Sequence, residues 1–272
     1  IDICKVNQAR TKDYILKQLS EIEGVYVPKY PKKVKKLTKK LSECIYTPVL
    51  SKNAFFKDTF ILEMSRGCAN RCGFCLASYL NLPLRCVPYD ELLKTIDLGL
   101  QYTNKIALLG AQISAHPHFH DVCKYIYDKI QNGEKIEMSV SSLRVDAITP
   151  DVVKTLVAGG QKNSTLAIEA GSDRLRKVIN KNLTENQIFE AVKIARANGL
   201  KGLKFYGMIG LPTETQSDLD EIVNLAKKLK KENKGFDISF GFSSFVPKPN
   251  TPFQWIGREN TKLLEEKSNF LK

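Results

Sequence analysis

Three thiols fall within eight residues in Cys68-Ala-Asn-Arg-Cys72-Gly-Phe-Cys75. Thiolates are soft ligands that suit iron–sulfur clusters and zinc. Gaps of three and two residues let one loop wrap all three sulfurs onto one face of a compact cluster. A four-iron cluster has four corners, so three cysteines leave one iron open to bind and polarise a substrate. The competing reading is a zinc site with Cys86 as fourth ligand. Zinc sites usually show two paired knuckles, whereas here a single cluster stands alone, with Cys86 well downstream beyond Pro83. The spacing favours iron and sulfur. Cys4, Cys44, Cys86 and Cys123 read as packed or surface thiols. His116, His118 and His120 alternate as metal ligands on a strand would, but Pro117 and the helical pattern after it argue for a loop entering a helix. They are expected at the surface or at a substrate mouth.

The elements that must position these residues are legible from Phe60 onward. Short apolar runs at Phe60–Met64, Ile106–Leu109, Ile136–Val140, Thr165–Ile168, Leu203–Ile209 and Ile238–Phe245 alternate with helical patterns over 89–101, 119–131, 150–158, 184–198 and 216–231. Thr149-Pro150-Asp151 and the pair Thr184 and Gln187 are helix starts, the latter a capping box, and Gly199 is a stop. Continuous apolar strands spaced about one βαβ unit apart imply a parallel sheet covered by helices or closed into a barrel. The expectation is an α/β fold, an incomplete parallel (β/α)6 TIM-like barrel. Chemistry in such barrels sits at the C-terminal ends of the strands, where the cysteine cluster falls. Residues 1–58 read as an N-terminal helix over 11–22 and a basic linker with one short helix. Residues 59–255 form the core, and 256–272 begin a C-terminal extension.

The chain has 272 residues and a formal net charge of +13. Seven lysines crowd into Lys29 to Lys40 with no acidic residue among them. A solvated linker face is the plain reading; a phosphate-binding surface for RNA or an acidic substrate is the sharper one. With 43% hydrophobic and 26% charged residues the composition is globular rather than disordered. No stretch approaches the roughly 20 apolar residues a membrane helix needs. The start carries no basic-then-apolar export pattern, so a cytoplasmic location with reduced thiols is expected. The chain begins at Ile1 and stops at Lys272 within a helical pattern, which reads as an excerpt of a longer protein.

The cysteine spacing with an aromatic, Phe74, before the last thiol resembles the signature of the radical S-adenosylmethionine (SAM) superfamily. The resemblance covers about residues 60–255. It is closest to the subgroup with an upstream cobalamin-binding domain, through Glu23–Pro28, Ser65–Cys68, Ser141–Asp146, Ile168–Ser172, Met208–Glu214 and Pro247–Trp255. Residues 1–28 look like the tail of such a domain, which would bring cobalamin from outside this chain. The resemblance implies a 4Fe–4S cluster on Cys68, Cys72 and Cys75 that chelates SAM and cleaves it reductively to a 5′-deoxyadenosyl radical. That radical would then abstract hydrogen or support methyl transfer. The electron would come from a flavodoxin- or ferredoxin-like donor.

Around SAM, the resemblance places five residues. Gly110 ends the second strand where the backbone receives the methionine amino group, although the family's second glycine and glutamate are missing here. Arg144, with Lys181 as competitor, would clamp the carboxylate. Glu169 would accept ribose hydroxyls. Ile209 would pack on adenine, and Val246 would offer backbone groups to the adenine edge. The substrate is expected to be a small molecule. RNA or protein modification of the methylthiotransferase kind is the alternative, and a non-enzymatic iron–sulfur or zinc protein binding nucleic acid is a third reading.

Overall fold

The computed structural model describes residues 2–272. Seven strands run β1 (Phe60–Arg66), β2 (Arg85–Cys86), β3 (Lys105–Gly110), β4 (Glu137–Val140), β5 (Asn163–Glu169), β6 (Gly202–Ile209) and β7 (Asp237–Ser244). Ten helices accompany them: α1 (Asp2–Val6), α2 (Lys12–Glu21), α3 (Ala77–Leu80), α4 (Tyr89–Leu100), α5 (Phe119–Gln131), α6 (Pro150–Ala158), α7 (Asp173–Val178), α8 (Glu185–Ala197), α9 (Gln216–Glu232) and α10 (Thr261–Leu271). The helix starts form as their residues demand. Thr149 accepts from Val152 N–H with Pro150 in the first turn of α6. Thr184 and Gln187 complete a capping box on α8, and Gly199 ends that helix at φ +100°.

The strands form two arcs, β2-β1-β3-β4 and β5-β6-β7. All pairings are parallel except β1 with the short β2. A single parallel bridge from Leu143 to Leu166 joins the arcs. Six parallel strands therefore curve into an incomplete barrel, as expected. The outer edge of β1 explains why the barrel stays open. Ile45 O accepts from Glu63 N–H at 2.8 Å and Thr47 N–H donates to Ile61 O at 2.9 Å, while Tyr46 stacks on Phe60. With β2 alongside, that edge is occupied, and an occupied edge is protected from further pairing.

Helices α4, α5, α6 and α8 cover the outer face of the strands. Leu62, Met64, Ile106, Leu108, Leu166 and Phe205 are buried beneath them in one core. Helix α10 packs Leu264 against Ile209, Leu219 and Ile222 in a satellite cluster.

The N-terminal region differs from expectation. The molecule divides into two compact units, one running to Lys40 and the other Leu41–Lys272. Residues 41–58 thus belong to the barrel unit and give β1 its edge partner, a role that neither charge nor periodicity announces. No helix forms between 29 and 58; Pro31 and the clustered lysines disfavour one. In the first unit, Lys29 and Tyr30 both bond Asp13. Among the described residues, no helix is long and apolar enough to cross a membrane.

Candidate active site

The cysteine loop leaves the C-terminal end of β1 through Gly67, whose φ of +93° suits only glycine, and where a Cβ would lie 2.4 Å from the Asn81 carbonyl oxygen. Cys68 and Cys72 are buried, Cys75 is partly buried, and all three are free thiols. Residues far along the chain grip the loop. Asn180 Nδ2 donates to the Asn70 and Arg71 carbonyls, each at 3.0 Å. Gly73 N–H donates to Ile179 O at 2.9 Å. Cys68 Sγ lies 3.2 Å from Gln112 Oε1, which also accepts from Asn70.

Among the described residues no three His, Cys, Asp or Glu side chains are grouped to hold a single metal ion. A single-ion site gathers its donors within about 2.0–2.3 Å of one point, whereas a four-iron cubane is larger and spreads its thiolates. The donor set fits such a cluster. Burial pushes the Cys72 thiol above its ordinary pKa, and the Lys181 ammonium pulls against that rise. Arg144 is desolvated, but Asp146 and the sulfurs of Cys72 and Cys68 favour its charge and raise its pKa. Two cations thus stand near the sulfurs, as an anionic thiolate set requires.

Glu169 ends β5 with φ +69°, a left-handed conformation rare for a residue with a side chain. Its Oε1 accepts from Lys181 Nζ at 3.0 Å, and both side chains are largely buried, at 13% and 9% exposed. Arg176, fully buried, braces the segment between them. It donates to the carbonyls of Ala170, Gly171 and Leu183 at 2.7–2.8 Å.

Asp218 of α9 anchors the same segment, accepting from Ser172, Arg174 and Thr215. Burial alone would raise its pKa, but these donors outweigh it and hold the carboxyl at about 2. A depressed carboxyl contributes stability above its unfolded pKa that is lost as pH falls through the folded value. Asp218→Asn should therefore cost about 2 kcal/mol near neutrality. The gap between variant and wild type should narrow from about pH 5 down to pH 2. Denaturant unfolding across that range measures it, and a gap independent of pH would show that the network adds nothing electrostatic.

A cavity of about 770 Å³ opens beside the loop, walled by Phe74, Glu169, Tyr206, Phe242, Val246 and Lys248 among others. Glu169 and Val246 thus share one cavity with the aromatic that precedes Cys75. The other expected SAM contacts fall elsewhere. Gly110 lies beside β1, where a Cβ would come 2.9 Å from Ser65 Oγ; that hydroxyl is buried without a partner. Arg144 spends Nε and Nη2 on Asp146 at 2.9–3.1 Å, so its two-pronged edge is already occupied. Lys181, the competing clamp, is held by Glu169. Ile209 points away from the cavity into the cluster beneath α10, and its carbonyl accepts from Phe245 N–H; the neighbouring Met208 lines the cavity instead. Strand alternation is the reason.

His116 is also corrected. It is buried, with Nε2 2.8 Å from Val87 O and its pKa lowered by desolvation. His118 pairs with Asp121, and no histidine lines the cavity. Cys86 pairs with Ser65 on the edge of β1, and Cys123 is buried with its pKa pushed up to about 12 by desolvation.

Asn180, Gln112 and Arg176 were not singled out by sequence reasoning. The first two stand within two residues of Lys181 and Gly110, but their partners lie in a distant loop that no spacing reveals.

An α/β barrel with three thiols at its mouth beside a cavity is the arrangement of a radical SAM core. Residues 62–226 match the Radical SAM superfamily model, and the chain belongs to that superfamily, whose members use a 4Fe–4S cluster and SAM. It is 35% identical over 263 residues to an uncharacterised protein of Methanocaldococcus jannaschii, covering 93% of this chain and 57% of that one. It is 25% identical over 210 residues to the tRNA-2-methylthio-N(6)-dimethylallyladenosine synthase of Pseudomonas savastanoi, covering 70% of this chain and 44% of the synthase. Its fold resembles the cobalamin-dependent SAM radical enzyme OxsB, with TM-score 0.61, 18% identity, and coverage of 95% of this chain and 44% of OxsB. The chain spans about half the length of the curated relatives it matches.

Proposed function

We propose that this chain is the catalytic core of a radical SAM enzyme acting on a small molecule, with Cys68, Cys72 and Cys75 as the three thiolates of its cluster. The observation that carries the reading is Phe74. It lies between Cys72 and Cys75 and also forms the wall of the cavity that holds Glu169. The cluster and its substrate space are thereby adjacent. When bound, the cluster and SAM supply reductive cleavage of the sulfonium and a 5′-deoxyadenosyl radical. The chain's own residues do the positioning. Asn180, Ile179 and Gln112 hold the loop. Lys181 occupies one oxygen of Glu169, and the second is offered to ribose hydroxyls. Val246 offers backbone groups at the cavity rim, and Gly110, partly buried at the end of β3, offers its backbone to the methionine amino group. The barrel walls exclude water from a reactive species.

The electron comes from a flavodoxin- or ferredoxin-like donor in the cytoplasm, and cobalamin from a domain outside this chain, as the OxsB likeness favours. A second reading, modification of RNA, is supported by the tRNA-modifying relatives and by the lysines between Lys29 and Lys40.

Reduced, cluster-loaded protein with SAM should release 5′-deoxyadenosine and methionine slowly even without substrate. Chromatography of the quenched reaction measures both products. A fully loaded, reducible cluster that yields neither at any SAM concentration, in this chain and in the longer protein alike, would overturn the radical reading.

A further inference from the structure

Strand registers fix which side chains share the barrel interior. Thr165 pairs with Lys204, Ala167 with Tyr206, Tyr206 with Gly241 and Met208 with Ser243. The opposite face carries Leu166, Phe205 and Ile209 into the apolar cores. Interiors of such barrels are ordinarily packed with bulky branched side chains. Here Ala167, Gly207, Gly241 and Ser243 leave space beside the larger Tyr206, Met208 and Phe242, and a cavity of about 770 Å³ remains.

The charges on its wall are unbalanced. Its one carboxylate, Glu169, is neutralised by Lys181. Lys204 and Lys248 also line its open, solvent-exposed side, and among the described residues neither ammonium has an ion-pair or hydrogen-bond partner. Lys204 Nζ stands over the Tyr206 ring, 5.2 Å from its centroid. Room for it comes from Gly241, where a Cβ would sit 3.2 Å from Lys204 Cε. Two unmatched positive charges in a concave wall focus field on an anion.

Resting on the radical-enzyme reading of the site, we propose that the lumen takes a small organic anion, a carboxylate or a phosphate ester. The anion's charged end pairs with Lys204 beside the Tyr206 hydroxyl, and Lys204 is a specificity-determining residue. Lys248, at the rim beside Val246, draws the anion in.

The test is competitive acetylation of the cluster-loaded protein, read lysine by lysine by mass spectrometry. The probes are inorganic pyrophosphate and succinate, titrated separately, with transfer RNA as a third arm. One of the two small anions should slow labelling of Lys204 about tenfold, the size of a lost charge-assisted contact. Exposed Lys124 and Lys193, on outer helices, should label as before. Protection by pyrophosphate assigns a phosphate ester and by succinate a carboxylate. Lys204→Gln should raise the anion concentration needed to protect Lys248 about tenfold, and Lys204→Arg, which keeps the charge, should not. The proposal is overturned if neither small anion protects Lys204, if Lys204→Gln binds like wild type, or if only transfer RNA protects. Iron content and deoxyadenosine release from the wild type report separately on the radical-enzyme reading, so the two failures are distinguishable.

Discussion

Replacing any one of Cys68, Cys72 or Cys75 by alanine is expected to abolish the iron–sulfur cluster. Anaerobically reconstituted wild type should bind iron and sulfide and absorb broadly in the visible through thiolate-to-iron charge transfer, and this absorption should bleach on reduction. Each variant should lose both the metal and the colour. Cys86→Ala should lose neither, because Cys86 lies outside the three-cysteine loop, on the short strand beside Ser65 of β1. Cys123→Ala should also keep the cluster, since its thiol is buried under the helices with a pKa of about 12 and is poorly disposed to ionise. Iron and sulfide per chain, with the visible spectrum, measure the outcome. Stoichiometric zinc without iron, or a dependence on Cys86 equal to that on the other three, would falsify the assignment.

The second large effect falls on Glu169 and Lys181. The two side chains form a largely buried ion pair, and removing one partner of such a pair leaves an uncompensated charge that costs about 3–5 kcal/mol. Glu169→Ala should therefore destabilise the protein strongly and also weaken SAM binding. The double variant Glu169→Ala/Lys181→Met separates the two roles. Replacing a buried pair with apolar groups is often close to neutral, so most of the stability should return. If Glu169 accepts from the ribose, SAM affinity should stay reduced by about tenfold to a hundredfold, the size of a lost charge-assisted hydrogen bond. Denaturant midpoints and the SAM dependence of deoxyadenosine formation, each at matched iron content, read the two effects. A double variant that regains both stability and wild-type SAM affinity would make Glu169 purely structural.

The sequence by itself determined the barrel class and marked the candidate thiolates. Six continuous apolar runs separated by helix-length patterns can be satisfied only by parallel strands covered by helices, and each run appears as a strand within one or two residues of expectation. Thr149, Thr184 and Gly199 act within a few residues of themselves, so their effects are readable locally. The same holds for the spacing of Cys68, Cys72 and Cys75.

Only the tertiary structure decided how the remaining groups pair. Glu169 meets Lys181, and Asn180 reaches the cysteine loop across more than a hundred residues of chain. Such pairings depend on where the barrel's curvature brings strand ends together, and no periodicity encodes that. The sidedness of Ile209 was hidden for a different reason. Met208 and Ile209 are adjacent apolar residues that look alike in sequence, and only the pleat sends one to the cavity and the other to α10. The unmatched charge of Lys204 was hidden likewise: a lysine is ordinary at a surface, and it acquires meaning only when the register turns it into the lumen.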